Sequence, residues 1–244
     1  MRIAVLGGTG LIGSRVVRIL TAGGHHARAY SLSTGLDLTS EKELPQALKG
    51  ADVVVNLTNS PARDHSSLVF FRRTMENLLV AAEDAEIGHV VVLSVVGADR
   101  VPAVAYYRAK MLQEELLRGG PVPFSIVRAT QTFESVGALL SETADADTVR
   151  LPGTLLQPMA AVEVAWALAE VSVGAPLQDV REIAGPEVFS LDELGRITLE
   201  ARGDHRKIVT DDAAGWFAAV PGRALVAGNE AVVATTEYRH WLAG

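Results

Sequence analysis

The sequence of 244 residues contains no cysteine. Disulfide bonds, cysteine nucleophiles and thiolate metal sites are therefore excluded, and the chain suits a reducing compartment. No apolar run approaches the roughly 18 residues of a membrane-spanning helix. A strand pattern that begins at Ile3 leaves no room for a signal peptide. We expect a soluble, cytoplasmic protein with no membrane partner.

Positive charge is also scarce, since 22 Lys and Arg residues stand against 29 Asp and Glu residues and give a net charge of −7. This balance argues against a surface that binds nucleic acid or an anionic membrane. The six histidines form neither an i, i+4 pair nor an H-E-x-x-H motif, so no metal site is predicted. No G-x-S-x-G motif is present either, which argues against a serine hydrolase of the nucleophile-elbow type.

The most informative stretch lies at the start of the chain. The apolar run Ile3–Leu6 predicts a buried parallel strand, and apolar residues at helical spacing follow from Leu11. Glycines at the turn between them have no Cβ, so the backbone can bend sharply and approach a ligand. The start of the helix then directs unpaired N–H groups at an anion. The residues predicted to hold a pyrophosphate are Gly7, Thr9, Gly10, Leu11, Ile12 and Gly13.

The Gly7-x-x-Gly10-x-x-Gly13 spacing is a variant of the G-x-G-x-x-G fingerprint of dinucleotide-binding folds. In NAD-binding proteins an acidic residue about 20 positions further on binds the ribose 2′-hydroxyl, and a basic residue there favours NADP. Ser31 lies eighteen positions after Gly13, and its neighbours include no acid. We therefore predict NADP as the cofactor, with NAD as the alternative. The residues predicted at the adenosine ribose are Arg28, Ser31 and Ser33.

Several further cofactor contacts are predicted around the next strand. Arg28 either contacts the phosphate or is a solvated strand residue. Asp37, followed by Leu38, either accepts a hydrogen bond from the adenine amine or caps a turn. The β-branched run Val53–Leu57 predicts a central parallel strand. Leu57 and Thr58, at its carboxyl end, are therefore included among the cofactor contacts.

Strand and helix patterns alternate six times, with no tandem repeat. This alternation predicts an α/β, Rossmann-type doubly wound parallel sheet. Within it, Ser40 and Glu43 form a capping box that predicts a helix reaching about Leu48. The alternation weakens beyond residue 130. We predict one domain in which residues 1–130 bind the dinucleotide and residues 131–244 form a small substrate lobe; the chain is a monomer or a homodimer.

Three polar residues make up a predicted catalytic group. Tyr106 and Lys110 are four residues apart on one face of a predicted helix. A nearby ammonium and an oxidised nicotinamide ring favour the phenolate and lower a tyrosine pKa that is otherwise about 10. Tyr106 is then suited to act as a general acid towards a carbonyl under reduction. Ser94, at the end of the strand that begins at His89, is predicted to hydrogen-bond the same carbonyl oxygen. The alternative is a surface helix pair without chemistry.

Ser94, Tyr106, Lys110 and the glycine loop occur in the order that resembles the short-chain dehydrogenase/reductase superfamily. The region up to about Thr130 looks like the extended and atypical branches of this superfamily, which include NmrA-like NAD(P)H-binding proteins. The resemblance implies a Rossmann fold, with Tyr106 as the proton donor and Ser94 orienting the substrate. It also implies that Lys110 holds the nicotinamide ribose.

The same resemblance implies that the segment from Arg128 to Glu134 lines the nicotinamide and the substrate. Thr130 is then a cofactor contact, and Gln131 and Phe133 are substrate contacts; Phe133 is alternatively a core residue. One departure is that Phe71 stands where extended members usually have an asparagine.

These observations together favour an NAD(P)H-dependent oxidoreductase that transfers a hydride to or from a small carbonyl, ketone or quinone substrate. Two alternatives stay open. One is a non-catalytic NmrA-like dinucleotide sensor, and the other is an epimerase or dehydratase that retains its NAD.

Overall fold

The computed structural model describes all residues from Met1 to Gly244. The chain divides into two compact units, and each unit is built from two segments. The first unit contains Met1–Arg128 and Val162–Arg181, and the second contains Ala129–Ala161 and Glu182–Gly244. No helix has both the length and the apolar character needed to span a bilayer.

The regular elements alternate along most of the chain. The strands are β1 (Arg2–Leu6), β2 (His26–Tyr30), β3 (Val53–Asn56), β4 (His89–Val95), β5 (Phe124–Ala129), β6 (Thr148–Leu151), β7 (Leu155–Leu156), β8 (Val180–Ala184), β9 (Phe189–Ser190), β10 (Lys207–Thr210) and β11 (Val232–Val233). The α-helices are α1 (Gly13–Ala22), α2 (Leu44–Leu48), α3 (Ser66–Asp84), α4 (Ala105–Arg118), α5 (Val136–Glu142), α6 (Ala161–Val173), α7 (Leu191–Ala201) and α8 (Tyr238–Ala243).

The central feature is a seven-stranded sheet with the strand order β2-β1-β3-β4-β5-β8-β11. Strand β1 lies between β2 and β3 and pairs in parallel with both, and β3 pairs in parallel with β4. The chain therefore reverses its direction of winding beside β1. Open α/β sheets bind ligands at such a point, outside the carboxyl ends of the strands. The doubly wound parallel sheet predicted from the sequence is confirmed.

The long helix α3 shows how the sequence pattern produces this layering. Phe71, Met75, Leu78 and Ala82 are buried and recur at helical spacing. One side of the helix therefore packs into the apolar core of the first unit, as amphipathic helices of globular proteins do.

Helix α2 is shorter than the sequence predicts. The predicted capping box is wrong, because the hydroxyl of Ser40 accepts a hydrogen bond from the backbone N–H of Lys42 at 3.3 Å and the helix begins only at Leu44. The resulting five-residue helix is only about 7.5 Å long. Its residues Leu44 and Leu48 are buried in the apolar core of the first unit.

The second unit has a core of its own. Tyr238 on α8 is fully buried, and its hydroxyl lies 2.8 Å from the hydroxyl of Thr198 on α7. The ring centroids of Phe133 and Tyr238 are 4.9 Å apart. Smaller sheets, in which β6 pairs with β10 and β7 pairs with β9, complete this unit.

Candidate cofactor and active site

The glycine loop between β1 and α1 is held tightly by its surroundings. The N–H groups of Gly7 and Gly8 both donate to the carbonyl oxygen of Tyr30, at 2.8 and 3.1 Å. Gly7 has a φ of +77°, and a Cβ added to it would lie 3.0 Å from the backbone of Leu57. A Cβ on Gly13 would collide with the carbonyl oxygen of Gly7. The loop therefore has room for backbone alone at these positions.

The start of α1 provides donors for an anion. The N–H groups of Leu11, Ile12 and Gly13 have no acceptor within the protein, whereas the N–H of Ser14 donates to the carbonyl oxygen of Gly10 at 3.0 Å. Leu11 is 45% exposed, so a ligand can reach this end of the helix. Unpaired amides at a helix N-terminus, together with the helix dipole, favour a phosphate group. The residues present therefore fit the pyrophosphate of a dinucleotide.

Three hydroxyl groups gather beside this loop, at the carboxyl end of β2. The hydroxyl of Thr9 donates to that of Ser31 at 2.9 Å, and the hydroxyls of Ser31 and Ser33 lie 2.8 Å apart. The cluster is solvent-exposed and includes no carboxylate. Ser31 and Ser33, which the sequence predicts at the adenosine ribose, are thus brought together with Thr9 of the glycine loop.

Arg28, Asp37 and Leu38 make other contacts in the structure. The guanidinium of Arg28 lies 5.1 Å from the ring centroid of Tyr30. Asp37 Oδ1 accepts hydrogen bonds from the N–H and the hydroxyl of Thr39, both at 2.8 Å. These two hydrogen bonds agree with the interpretation that Asp37 caps a turn. Leu38 is 6% exposed and belongs to the apolar core.

Leu57 and Thr58 lie beside the glycine loop, at the end of β3. The N–H of Leu57 donates to the carbonyl oxygen of Leu6 at 2.9 Å. The N–H and hydroxyl of Thr58 both donate to Oδ1 of the buried Asn56, at 3.1 and 2.7 Å. The polar core residue Asn56 therefore fixes the turn that faces the loop.

Helix α4 carries Tyr106 and Lys110. Tyr106 is half-buried, and its hydroxyl donates to Asn59 Oδ1 at 3.0 Å. Lys110 is only 3% exposed. Its ammonium donates to the carbonyl oxygen of Leu93 and to Gln113 Oε1, both at 2.9 Å. Each of the two groups therefore has a fixed partner in the protein alone.

Burial changes the acidity of both groups. It raises the pKa of Tyr106, and the hydrogen bond with Asn59 and the charge of Arg63 offset this only in part. Burial also lowers the pKa of Lys110 to about 7, against the opposing charge of Glu114. The expectation that the pKa of Tyr106 is lowered is therefore wrong for the protein without ligand, because removal of water from the phenolate dominates.

Phe71 contacts both members of this pair. The Lys110 ammonium lies 4.7 Å from the ring centroid of Phe71, within the range of a cation–π interaction. The rings of Phe71 and Tyr106 meet edge to face with centroids 6.5 Å apart. Where the resemblance implies an asparagine, this chain therefore has an aromatic face against the lysine.

Ser94 has a different partner from the one that the sequence predicts. It is fully buried, and its hydroxyl donates to Glu114 Oε1 at 2.6 Å. Glu114 also accepts two hydrogen bonds from Arg128, at 2.8 Å each. The hydroxyl predicted to bind a substrate carbonyl thus participates in a buried ion-pair network.

The network extends to Asp99, whose Oδ2 lies 2.8 Å from Arg128 Nη1. Burial alone lowers the pKa of Arg128, but the carboxylates of Glu114 and Asp99 outweigh it and raise that pKa. Sequence analysis missed Glu114, Asp99 and Asn59. One signal was available, because Arg128 ends an otherwise mainly apolar strand, and a charge seldom occurs there without a partner.

The three residues predicted after β5 belong to the second unit. Thr130 Oγ1 and Gln131 Oε1 are buried and have no hydrogen-bond partner within the protein. A buried polar atom usually finds a partner in water or a ligand. Phe133 is 1% exposed and packs against Tyr238 and Trp241, which is the core interpretation that the sequence left open.

Known structures share this fold. UDP-glucose 4-epimerase of Thermus thermophilus, solved with NAD, has a TM-score of 0.74 and 19% identity over 86% of either chain. A nucleoside-diphosphate-sugar epimerase of Staphylococcus aureus has a TM-score of 0.73 and 16% identity over the whole of both chains. A dTDP-4-dehydrorhamnose reductase of Clostridium acetobutylicum has a TM-score of 0.70 and 16% identity over 86% of this chain and 84% of its own.

No curated protein is similar in sequence. The family described as NAD(P)H-binding matches residues 7–135, which include the glycine loop, the hydroxyl cluster and α4. This match and the shared fold confirm the predicted resemblance to the short-chain dehydrogenase/reductase superfamily, and they support a nicotinamide dinucleotide as the cofactor. The chain belongs to the NAD(P)H-binding family.

Proposed function

We propose that the protein is an NADPH-dependent reductase, or the reverse dehydrogenase, that acts on a small carbonyl, ketone or quinone. The observation that carries the proposal is the pair on α4, in which a half-buried phenol is followed one turn later by a buried lysine. The bound nicotinamide supplies the hydride. The chain positions the reactants and donates a proton.

Tyr106 is proposed as the proton donor. Its raised pKa keeps the phenol protonated at neutral pH, which is the form that can protonate a developing alkoxide. In the protein alone its hydrogen bond goes to Asn59, and a substrate oxygen would replace that acceptor. Lys110 would hold the nicotinamide ribose, and its positive charge would favour the phenolate that remains after proton transfer.

The preference for NADP is proposed from the cluster of Thr9, Ser31 and Ser33. Hydroxyl groups can donate hydrogen bonds to a 2′-phosphate, whereas a carboxylate at this place would repel it. The cluster contains three donors and no acid.

The second candidate is a non-catalytic dinucleotide sensor. Ser94 favours it, because its hydroxyl is bonded to Glu114 and one donor fewer is then available for a substrate oxygen. The two candidates differ in turnover, since a sensor binds NADPH without oxidising it.

Replacement of Tyr106 by Phe should reduce kcat about 100-fold or more, because general acid catalysis is lost. The dissociation constant of NADPH should stay unchanged. The rate of NADPH oxidation with a panel of carbonyls, ketones and quinones measures kcat. Fluorescence titration measures the dissociation constant of NADPH. Tyr107→Phe, at the adjacent and fully buried position, is the control. Full activity in Tyr106→Phe would refute the assigned role, and no oxidation by the unchanged protein would favour the sensor.

Replacement of Ser31 by Asp should reverse the cofactor preference. The new carboxylate repels a 2′-phosphate and can accept a hydrogen bond from a 2′-hydroxyl. We expect NADPH to bind about tenfold more weakly or worse, while NADH binds more tightly, in titrations followed by intrinsic tryptophan fluorescence. The same loss for both cofactors would contradict the proposed ribose contact, and Val80→Asp at an exposed position of α3 controls for added charge.

Lys110 makes stability depend on pH. Its pKa falls from 10.5, the ordinary value of a lysine in an unfolded chain, to about 7 in the folded protein, so the unfolded chain binds more protons between these values. Stability should therefore rise with pH across this window and lose that gain as the pH falls through 7. In urea titrations from pH 7.5 to 9, the free energy of unfolding should rise by about 1 kcal/mol per pH unit more in the unchanged protein than in Lys110→Met. If the free energy of unfolding changed with pH equally in both proteins, Lys110 would keep its proton in the folded state, which would contradict the prediction.

A further inference from the structure

A cavity of about 460 Å³ lies in the first unit, beside β1 and β2. It is bounded by β1, the edge strand β2 and the segment from Ala47 to Ala51 at the end of α2. Its volume falls within the range of small-molecule sites. The charged and aromatic residues that line it are Arg2, His25, His26, Arg28, Tyr30 and Lys49.

The cavity concentrates positive charge in an acidic protein. Arg2, Arg28 and Lys49 all line it, and none of these side chains forms an ion pair. No Asp or Glu is among the lining residues. The nearby carboxylate of Asp52 accepts the backbone N–H of Arg2 at 2.7 Å and keeps its negative charge, so three cations face one carboxylate. A recess with this excess of positive charge attracts an anion.

Two of the lining side chains are held in place. Gly50 has a φ of +69°, and a Cβ added to it would lie 2.9 Å from Arg2 Nη1, so the guanidinium packs directly against the Gly50 backbone. The guanidinium of Arg28 lies over the ring of Tyr30. Such preorganisation reduces the entropy that a ligand loses in ordering its site.

The charged end of the cavity is separate from the glycine loop. Arg2 pairs with His26 at the amino ends of β1 and β2, whereas the glycine loop follows the carboxyl end of β1. The length of a five-residue strand, about 16 Å, separates Arg2 from the loop, and only Tyr30, at the opposite end of the cavity, adjoins the loop through its carbonyl oxygen.

We propose that this cavity is a second ligand site of the protein and binds a small phosphorylated molecule. Arg2 and Lys49 contact the phosphate. The ring of Tyr30 and the alanines of the wall, Ala27, Ala47 and Ala51, receive the uncharged part of the ligand. The inference does not depend on the proposed reductase activity.

Isothermal titration with sodium pyrophosphate tests the proposal, on protein saturated with NADPH so that the glycine loop is filled. We expect one remaining pyrophosphate site. In an Arg2→Gln, Lys49→Gln double variant this binding should weaken at least tenfold, because two charge-assisted contacts are lost, while NADPH binding is unchanged. Arg18→Gln, at an exposed position of α1 outside the cavity, controls for the loss of charge and should bind as the unchanged protein does.

Gly50→Ala provides a second variant that preserves every charge. Its new Cβ displaces the Arg2 guanidinium, so pyrophosphate binding should weaken several-fold. Circular dichroism checks that the variants are folded. If the double variant is unfolded, pyrophosphate binding by Gly50→Ala alone tests the proposal. The proposal is overturned if NADPH-saturated protein binds no pyrophosphate, or if both the double variant and Gly50→Ala bind it as tightly as the unchanged protein.

Discussion

The buried ion pair between Arg128 and Glu114 is the interaction on which the candidate active site depends. It joins β5 to α4 by two hydrogen bonds of 2.8 Å, and the hydroxyl of Ser94 on β4 completes it. A buried charge that loses its partner costs several kcal/mol. A shift or rotation of α4 would break this ion pair at that cost in free energy. Tyr106 and Lys110, which precede Glu114 on the same helix, therefore keep their positions.

The same arrangement explains the character of the lysine. Because α4 is fixed against the sheet, Lys110 is buried among Leu93, Gln113 and the ring of Phe71. Its ammonium contacts a carbonyl, an amide and an aromatic face, none of which carries a charge. Burial then lowers its pKa to about 7, which gives this first unit a group that exchanges its proton near neutral pH.

Local patterns predicted the glycine loop and the doubly wound sheet, because each depends on residues close together in sequence. Contacts between distant residues were not predictable in this way. Asn59 and Tyr106 are 47 positions apart, and neither neighbourhood indicates the other. The partner of Ser94 and the cavity beside β2 likewise depend on how helices meet the sheet. The second unit has short strands and weak periodicity, so few of its elements were predictable.

The central claim is that the amides at the start of α1 hold the phosphates of a nicotinamide dinucleotide, with α4 beside the reactive ring. Hydrogen exchange measured by mass spectrometry, with and without saturating NADPH, tests it most directly. We predict slower exchange in peptides that cover residues 8–14 and 105–111, with little change in peptides from α3. Unchanged exchange in residues 8–14 at saturating NADPH would contradict it.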